Sequence, residues 1–359
     1  MSPMVIILFV LGLILLVAGA ELLVHGASQL AKHFGISALV VGLTVVAFGT
    51  SAPELAVSIK AGLAGQADIA MGNVVGSNIF NVLFILGLAA LITPLVVSQQ
   101  LVRLEVPLII GVSVLLLVMA LDGGISFFDG LLLFAGVVAY TVFTIRQSRK
   151  ENAAAQESSD GTTTAGGGRL PVQIMFILVG LAMLVLGAHW LVEGAVTFAR
   201  LFGVSELIIG LTIVAVGTSL PEVATSLVAA LRGERDIAVG NVLGSCLFNL
   251  LAIVGIASMV TPGGLNVAPA LINFDIPVMI AVALACLPIF AAGHLISRWE
   301  GALFLGYYVL YVLYLILAAT QHTALPAFNS VMLSIVLPLT AVTLIVLLMR
   351  YRIQAKEMP

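Results

Sequence analysis

Apolar runs separated by short polar punctuation fill this chain from Met4 to Leu348. Most approach the ~20 residues that carry a helix across a bilayer core about 30 Å thick. They predict membrane helices at about 4–28, 40–63, 70–92, 104–121, 128–145, 172–197, 207–231, 238–260, 276–292, 300–319 and 330–349. The grouping is five, five and one. Short strands alternating with period two, the mark of a membrane barrel, are missing from the pattern. The segment RQSRKENAAAQESSDGTTTAGGGRLP (146–171) is polar and rich in Gly, Ser and Thr, and it reads as a flexible linker. The expected organisation is therefore a five-helix unit (1–145), a linker (146–170), a second five-helix unit (171–321), and an extra helix with a short tail (322–359).

The two large units repeat each other. GLTVVAFGTSAPE (42–54) returns as GLTIVAVGTSLPE (210–222), identical at 10 of 13 positions. DIAMGNVVGSNIFN (68–81) returns as DIAVGNVLGSCLFN (236–249), identical at 10 of 14. Both pairs share an offset of 168, which also aligns GAELLVHGA (19–27) with GAHWLVEGA (187–195) and Pro94 with Pro262. An odd helix count per unit forces the second copy to enter the membrane from the opposite side. The fold expected is all-α and polytopic, with two inverted five-helix repeats, one extra C-terminal helix, and about eleven spans. Transporters built this way place their site at the midplane, where the repeats meet.

Composition agrees with that reading. Of the 359 residues, 61% are hydrophobic and 9% charged, beyond what a soluble domain of this size hides. The first helix lacks a basic leader region and a cleavage site, so it is expected to be retained. With the N-terminus outside, twelve of the 14 basic residues face the cytoplasm, leaving Lys60 and Arg200 outside. The expected location is the cell membrane, with the linker and C-terminus cytoplasmic. Cys246 and Cys286 lie in apolar segments without CxxC spacing, and free buried thiols are expected. The partners are the lipid bilayer and transported ions; no nucleic acid, obligate protein partner or cofactor is expected.

Chemistry concentrates in the repeated motif. A carboxylate at mid-helix costs about 2.5–3.5 kcal/mol on insertion scales and by default marks an ion or proton pathway. Glu54 and Glu222 occupy matching positions of inverted repeats, so they converge near a pseudo-two-fold axis and call for cations or protons in compensation. Thr50 and Ser51 share a helix face with Glu54, as Thr218 and Ser219 do with Glu222. Ser77 with Asn81, and Ser245 with Asn249, add oxygens at i, i+4 spacing on the next helix. Pro53 and Pro221 each remove a helix donor, freeing the carbonyls of Gly49 and Gly217. Oxygens without imidazole or thiolate suit Ca²⁺ or Na⁺ rather than zinc or copper. Gly72, Gly76, Gly240 and Gly244 allow close helix approach.

GTSAPE with GNVVGSNIFN, and GTSLPE with GNVLGSCLFN, resemble the two α-repeats of the sodium/calcium exchanger family, within the cation/calcium exchanger superfamily. The resemblance spans about residues 1–320. It implies Na⁺-driven Ca²⁺ antiport by alternating access, without covalent chemistry. By position it implies Glu54 and Glu222 as central calcium ligands, joined by carbonyls of Thr50 and Thr218. It implies Ser51, Ser219, Ser77 and Ser245, with the carbonyls of Ala47 and Ala215, as sodium ligands, and Asn81 and Asn249 as completing the centre. Some members carry aspartate where Asn249 stands, and Cys246 replaces the counterpart of Asn78.

The runner-up transport reading is a proton-coupled exchanger of Ca²⁺ or another divalent cation. An intramembrane acid–base enzyme is a third reading, which the many hydroxyl and amide ligands argue against. Outside the centre, Asp68 and Asp236 read as N-caps. Glu21/His25 and His189/Glu193 read as local i, i+4 pairs. Asn73 and Asn241 read as structural, and Glu105 and Asp275 as anchors at helix starts.

Overall fold

The computed structural model describes residues 3–157, 169–291 and 293–357. The first repeat runs α1 (Pro3–Phe34), α2 (Ala38–Thr50), α3 (Ala52–Leu63), α4 (Ala67–Ile92), α5 (Leu101–Ala120) and α6 (Phe127–Glu157). The second runs α7 (Leu170–Leu201), α8 (206–217), α9 (Leu220–Leu231), α10 (Arg235–Val260), α11 (Leu271–Ala291) and α12 (Arg298–Ala319). A last helix, α13, covers 325–357. Among the described residues nine helices are long and apolar enough to cross a membrane, and α2 with α3, bent by 45°, forms a tenth span. The pair α8/α9 is the repeat counterpart of α2/α3; taken likewise as one broken span, it brings the bundle to eleven.

Two small antiparallel sheets show the inversion directly. Strand β1 (Leu95–Val96) pairs with β4 (Leu295–Ile296), and β2 (Gly124–Ile125) with β3 (Leu265–Asn266). Each sheet thus joins one loop from each repeat. Helix α5 separates β1 from β2, so the sheets cap opposite ends of the bundle.

The most intimate contact is between α1 and α7, which run antiparallel on glycines seven residues apart. A Cβ on Gly12 would lie 2.8 Å from the Gly187 carbonyl, and one on Gly187 would lie 2.7 Å from that of Gly12. Gly19 and Gly180 repeat this reciprocity one step along. Apolar association has no driving force in lipid, so close backbone approach supplies the packing instead.

Several local expectations are corrected. Helix α6 continues twelve residues beyond 145, because RQSRKENAAAQE is rich in good helix formers. Gln147 donates to Glu151 one turn away (2.9 Å), Ser148 Oγ accepts the Ser37 N–H (2.8 Å), and Asn152 donates to the Gly35 carbonyl (2.8 Å). The helical extension therefore clamps the α1–α2 turn; of the rest of the expected linker, 158–168 lies outside the described residues, and Arg169 and Leu170 already begin α7. Asp68 and Asp236 are not N-caps: Gln66 and Glu234 hold those positions, and both aspartates lie inside the first turn, facing the positive helix end. His189 and Glu193 do pair, at 4.0 Å, but Glu21 instead reaches Arg232 in the other repeat, and His25 packs edge-on against Phe176. Cys246 and Cys286 are free and buried.

Candidate functional site

The GTS-x-PE motifs sit where the helices break. Helix α2 ends at Thr50, Ser51 leaves helical geometry (φ −80°, ψ 6°), and α3 begins at Ala52. Ser219 does the same (φ −89°, ψ 8°) between α8 and α9. Pro53 and Pro221 thus do not interrupt a running helix. Each opens a new one, at a position where a missing N–H costs nothing. The breaks place Glu54 and Glu222 in the first turns of α3 and α9, where the positive helix end favours a carboxylate.

The acids are crossed between the repeats. Ser219 Oγ donates to Glu54 Oε1 (2.8 Å), and Ser51 Oγ donates to Glu222 Oε1 (3.0 Å). Ser77 Oγ lies 3.3 Å from Ser219 Oγ. Both glutamates are 1% exposed, and the second oxygen of each has no partner. Asn81 Oδ1, Asn249 Oδ1 and Ser245 Oγ are likewise buried and unpartnered. Five oxygen atoms without donors, two of them on carboxylates, suit a cation and would be costly without one. Among the described residues no basic side chain pairs with either acid.

Asn81 and Asn249 are placed by π-type turns, 81–86 and 249–253, each of which they open. Such an extra residue per turn re-aims a side chain and is frequent at functional sites. Asn249 Nδ2 is held by Asn78 Oδ1 (3.1 Å), which leaves its carbonyl oxygen unpaired. Cys246 lies in the same ring, its sulfur 4.0 Å from the Asn78 carbonyl. Of the expected backbone ligands, the Ala47 carbonyl accepts the Ser51 N–H (3.0 Å), whereas the Ser219 N–H turns to Val216 (3.1 Å) rather than to Ala215.

Asn73 and Asn241 are structural, as expected, and their bonds are built around the acids. Asn73 Nδ2 donates to the Glu54 carbonyl (3.1 Å) and to Ser58 Oγ (3.0 Å), while its Oδ1 accepts from Thr218 of the other repeat (3.5 Å). Asn241 mirrors this with the Glu222 carbonyl (3.5 Å), Ser226 Oγ (2.9 Å) and Thr50 (3.0 Å). Each asparagine therefore ties three helices around an acid. Ser58 and Ser226 were the unused signal: they stand four residues after each acid and share the repeat offset.

The two halves are not equally closed. On one side α10 lies directly on α2: a Cβ on Gly240 would meet the Leu39 carbonyl at 2.8 Å, and one on Gly244 the Leu43 carbonyl at 2.6 Å. Among the described residues and side chains, nothing lies within 4 Å of the matching positions on α4, Gly72 and Gly76, or of Gly210 on α8. Asn241 is fully buried whereas Asn73 is partly exposed, in keeping with its longer bond to Thr218.

The family model described as sodium/calcium exchanger protein matches residues 4–146 and 172–317. Sodium/calcium exchanger MaX1 of Methanosarcina acetivorans is 35% identical over 347 residues, covering 86% of this chain and 97% of its own. Inner membrane protein YrbG of Escherichia coli is 37% identical over 283 residues, covering 77% of this chain and 86% of its own. A solved structure of the sodium–calcium exchanger NCX_Mj, soaked with zero Na⁺ and Ca²⁺, superposes with a TM-score of 0.75 at 31% identity. It covers 88% of this chain and all of its own. With that family model spanning both repeats, this multi-pass membrane chain belongs to the sodium/calcium exchanger family of cation/calcium antiporters.

Proposed function

We propose that the chain exchanges Na⁺ for Ca²⁺ at a midplane site built on Glu54 and Glu222, and that it does so by alternating access. The observation that carries the reading is the crossed pair of buried acids, each with one oxygen left without a donor. One Ca²⁺ neutralises two carboxylates, and so do two Na⁺. An empty centre leaves charge buried and resists any rearrangement that would seal it further. Competition for shared oxygens then makes the movement of one ion depend on the other. Thr50, Ser51, Ser77 and Asn81, with Thr218, Ser219, Ser245 and Asn249, supply the remaining oxygens. Ala47 and Ala215 contribute carbonyls at the edges.

Alternating access is supported by the inequality between the halves. With the N-terminus outside and the linker and tail cytoplasmic, the sealed α2–α10 contact lies on the cytoplasmic side of the acids. The gap between α8 and α4 lies on the outer side. The same four helices, exchanging roles across the pseudo-two-fold axis, would open the site inward.

Uptake of radiolabelled Ca²⁺ into proteoliposomes tests the coupling. An imposed Na⁺ gradient is expected to drive uptake and a pH gradient alone is not. Uptake driven by protons without sodium would establish the proton-coupled reading in its place.

Charge counting gives a further expectation. With two acids and a neutral Asn249, the loaded site has the same charge with one Ca²⁺ or two Na⁺. Exchange should therefore run at similar rates when the membrane potential is clamped at opposite signs. Asn249→Asp adds a charge and should make the rate depend on potential. A wild-type rate that already follows potential would refute the two-charge count.

A further inference from the structure

A buried relay of three side chains ends on Asn249. Its Nδ2 donates to Asn78 Oδ1 on α4 (3.1 Å), and its own Oδ1 has no partner. Asn78 is held in turn by α11, where its Nδ2 donates to Met279 Sδ (3.5 Å). All three side chains are buried. A thioether accepts hydrogen bonds and has none to donate, so it can face only the NH₂ end of Asn78. The Asn78 carbonyl is then left for Asn249, and it takes the NH₂ end of that amide too. The first repeat carries no such relay. Cys246 stands at the repeat counterpart of Asn78, with its sulfur on the Asn78 main-chain carbonyl (4.0 Å). Ile109 stands where Met279 does, each four residues after the π-type turn that opens its helix (101–105 and 271–275), and isoleucine offers no acceptor. The relay therefore belongs to one half and is not shared by the duplication.

We propose that Asn78, with Met279 behind it, is a positioning residue that fixes which end of the Asn249 amide is offered to the transported cation. The proposal rests on the reading of Asn249 as a cation ligand. The two ends of a carboxamide are nearly equal in size, so packing alone does not choose between them, and hydrogen bonding must. The choice has a large consequence here. One orientation offers the cation a carbonyl lone pair, and the other sets two N–H donors against its charge. In a buried, low-dielectric centre that contrast is sharpened. The same relay accounts for the Asn249 oxygen left buried without a donor, which is costly unless a cation takes it up.

Equilibrium binding of radiolabelled Ca²⁺ to the purified full-length protein in detergent tests this without reference to transport. Asn78→Leu keeps the volume and removes the acceptor, and it should raise the Ca²⁺ dissociation constant roughly 10- to 100-fold, the range for one hydrogen-bond-scale contact to a charge. The deciding comparison is made in an Asn249→Asp background. A carboxylate has oxygen at both ends and no wrong way round, so adding Asn78→Leu there should change the constant little. A merely structural Asn78 would weaken binding alike in both backgrounds, and the double-mutant cycle separates the two cases. Should Asn78→Leu fail to fold, Met279→Leu, a volume-conserving swap, takes its place in the cycle, with a smaller loss expected beside Asn249 and none beside the aspartate. If the unsubstituted protein binds Ca²⁺ and neither variant weakens it, or the loss is equal in both backgrounds, the proposal alone is overturned. An unsubstituted protein that binds no Ca²⁺ would overturn the reading beneath it, and the proposal with that reading.

Discussion

Replacing either Glu54 or Glu222 by glutamine is expected to cut Na⁺-driven Ca²⁺ uptake by roughly 100- to 1000-fold while leaving the protein folded. Folding is spared because glutamine keeps the side chain's shape, and its carbonyl oxygen can still accept from Ser219 or Ser51. Transport is not spared, because Ca²⁺ would then face a single carboxylate in a buried setting. Breaking one half of a buried charge pair costs about 3–5 kcal/mol, and each 1.4 kcal/mol is about tenfold in affinity. Initial uptake rates in proteoliposomes, with the thermal midpoint as a check on folding, measure this. A variant that transports at close to the wild-type rate would take its acid out of the site.

A second large effect separates two glycines that sequence treats as equivalent. Gly244→Leu should prevent stable folding, because even a Cβ there lies 2.6 Å from the Leu43 carbonyl, and a backbone cannot give way as a side chain can. Gly76→Leu should leave the thermal midpoint nearly unchanged, since no described atom lies within 4 Å of that position. It should nonetheless stop exchange, because on the proposed cycle α8 closes onto α4 at that place to seal this side of the site. Ca²⁺ binding to the detergent-solubilised Gly76→Leu protein is expected to survive. Full transport by Gly76→Leu would show that the cycle closes elsewhere.

This pair of glycines also marks the limit of what sequence could tell. The duplicated motifs at one offset carried the inverted architecture, the pairing of Glu54 with Glu222, and the oxygen-rich surroundings. They could not carry the difference between the halves, because near-identical segments encode both the sealed α2–α10 contact and the open α4–α8 gap. That difference is not written in local residue preference; on the proposed alternating-access cycle it belongs to the conformational state. Other features were present in the letters but unread. Gly12, Gly19 and Gly26 repeat every seven residues, as do Gly180, Gly187 and Gly194, and only the antiparallel crossing of α1 with α7 explains the interval. The helical continuation of α6 was masked by its polarity, although Ala, Gln, Lys and Glu favour helix wherever they are solvated. Asn73 and Asn241 read as structural from sequence, but which helices they tie was hidden, because their partners, a backbone carbonyl and a threonine from the opposite repeat, are invisible without the fold.

The two short sheets have a consequence for how the molecule is made. Leu95 finds its partner Ile296 only after 201 further positions have been synthesised, and Ile125 waits 140 for Leu265. The first half therefore enters the bilayer with both loop edges unpaired, and closing such distant contacts is slow. Had the second half inserted in the same direction as the first, β4 would lie at the end of the bundle away from β1, and β3 away from β2, so these pairs could not form. The strand pairs can therefore close only once both halves lie in opposite orientation, which makes them late contacts in the folding of the chain.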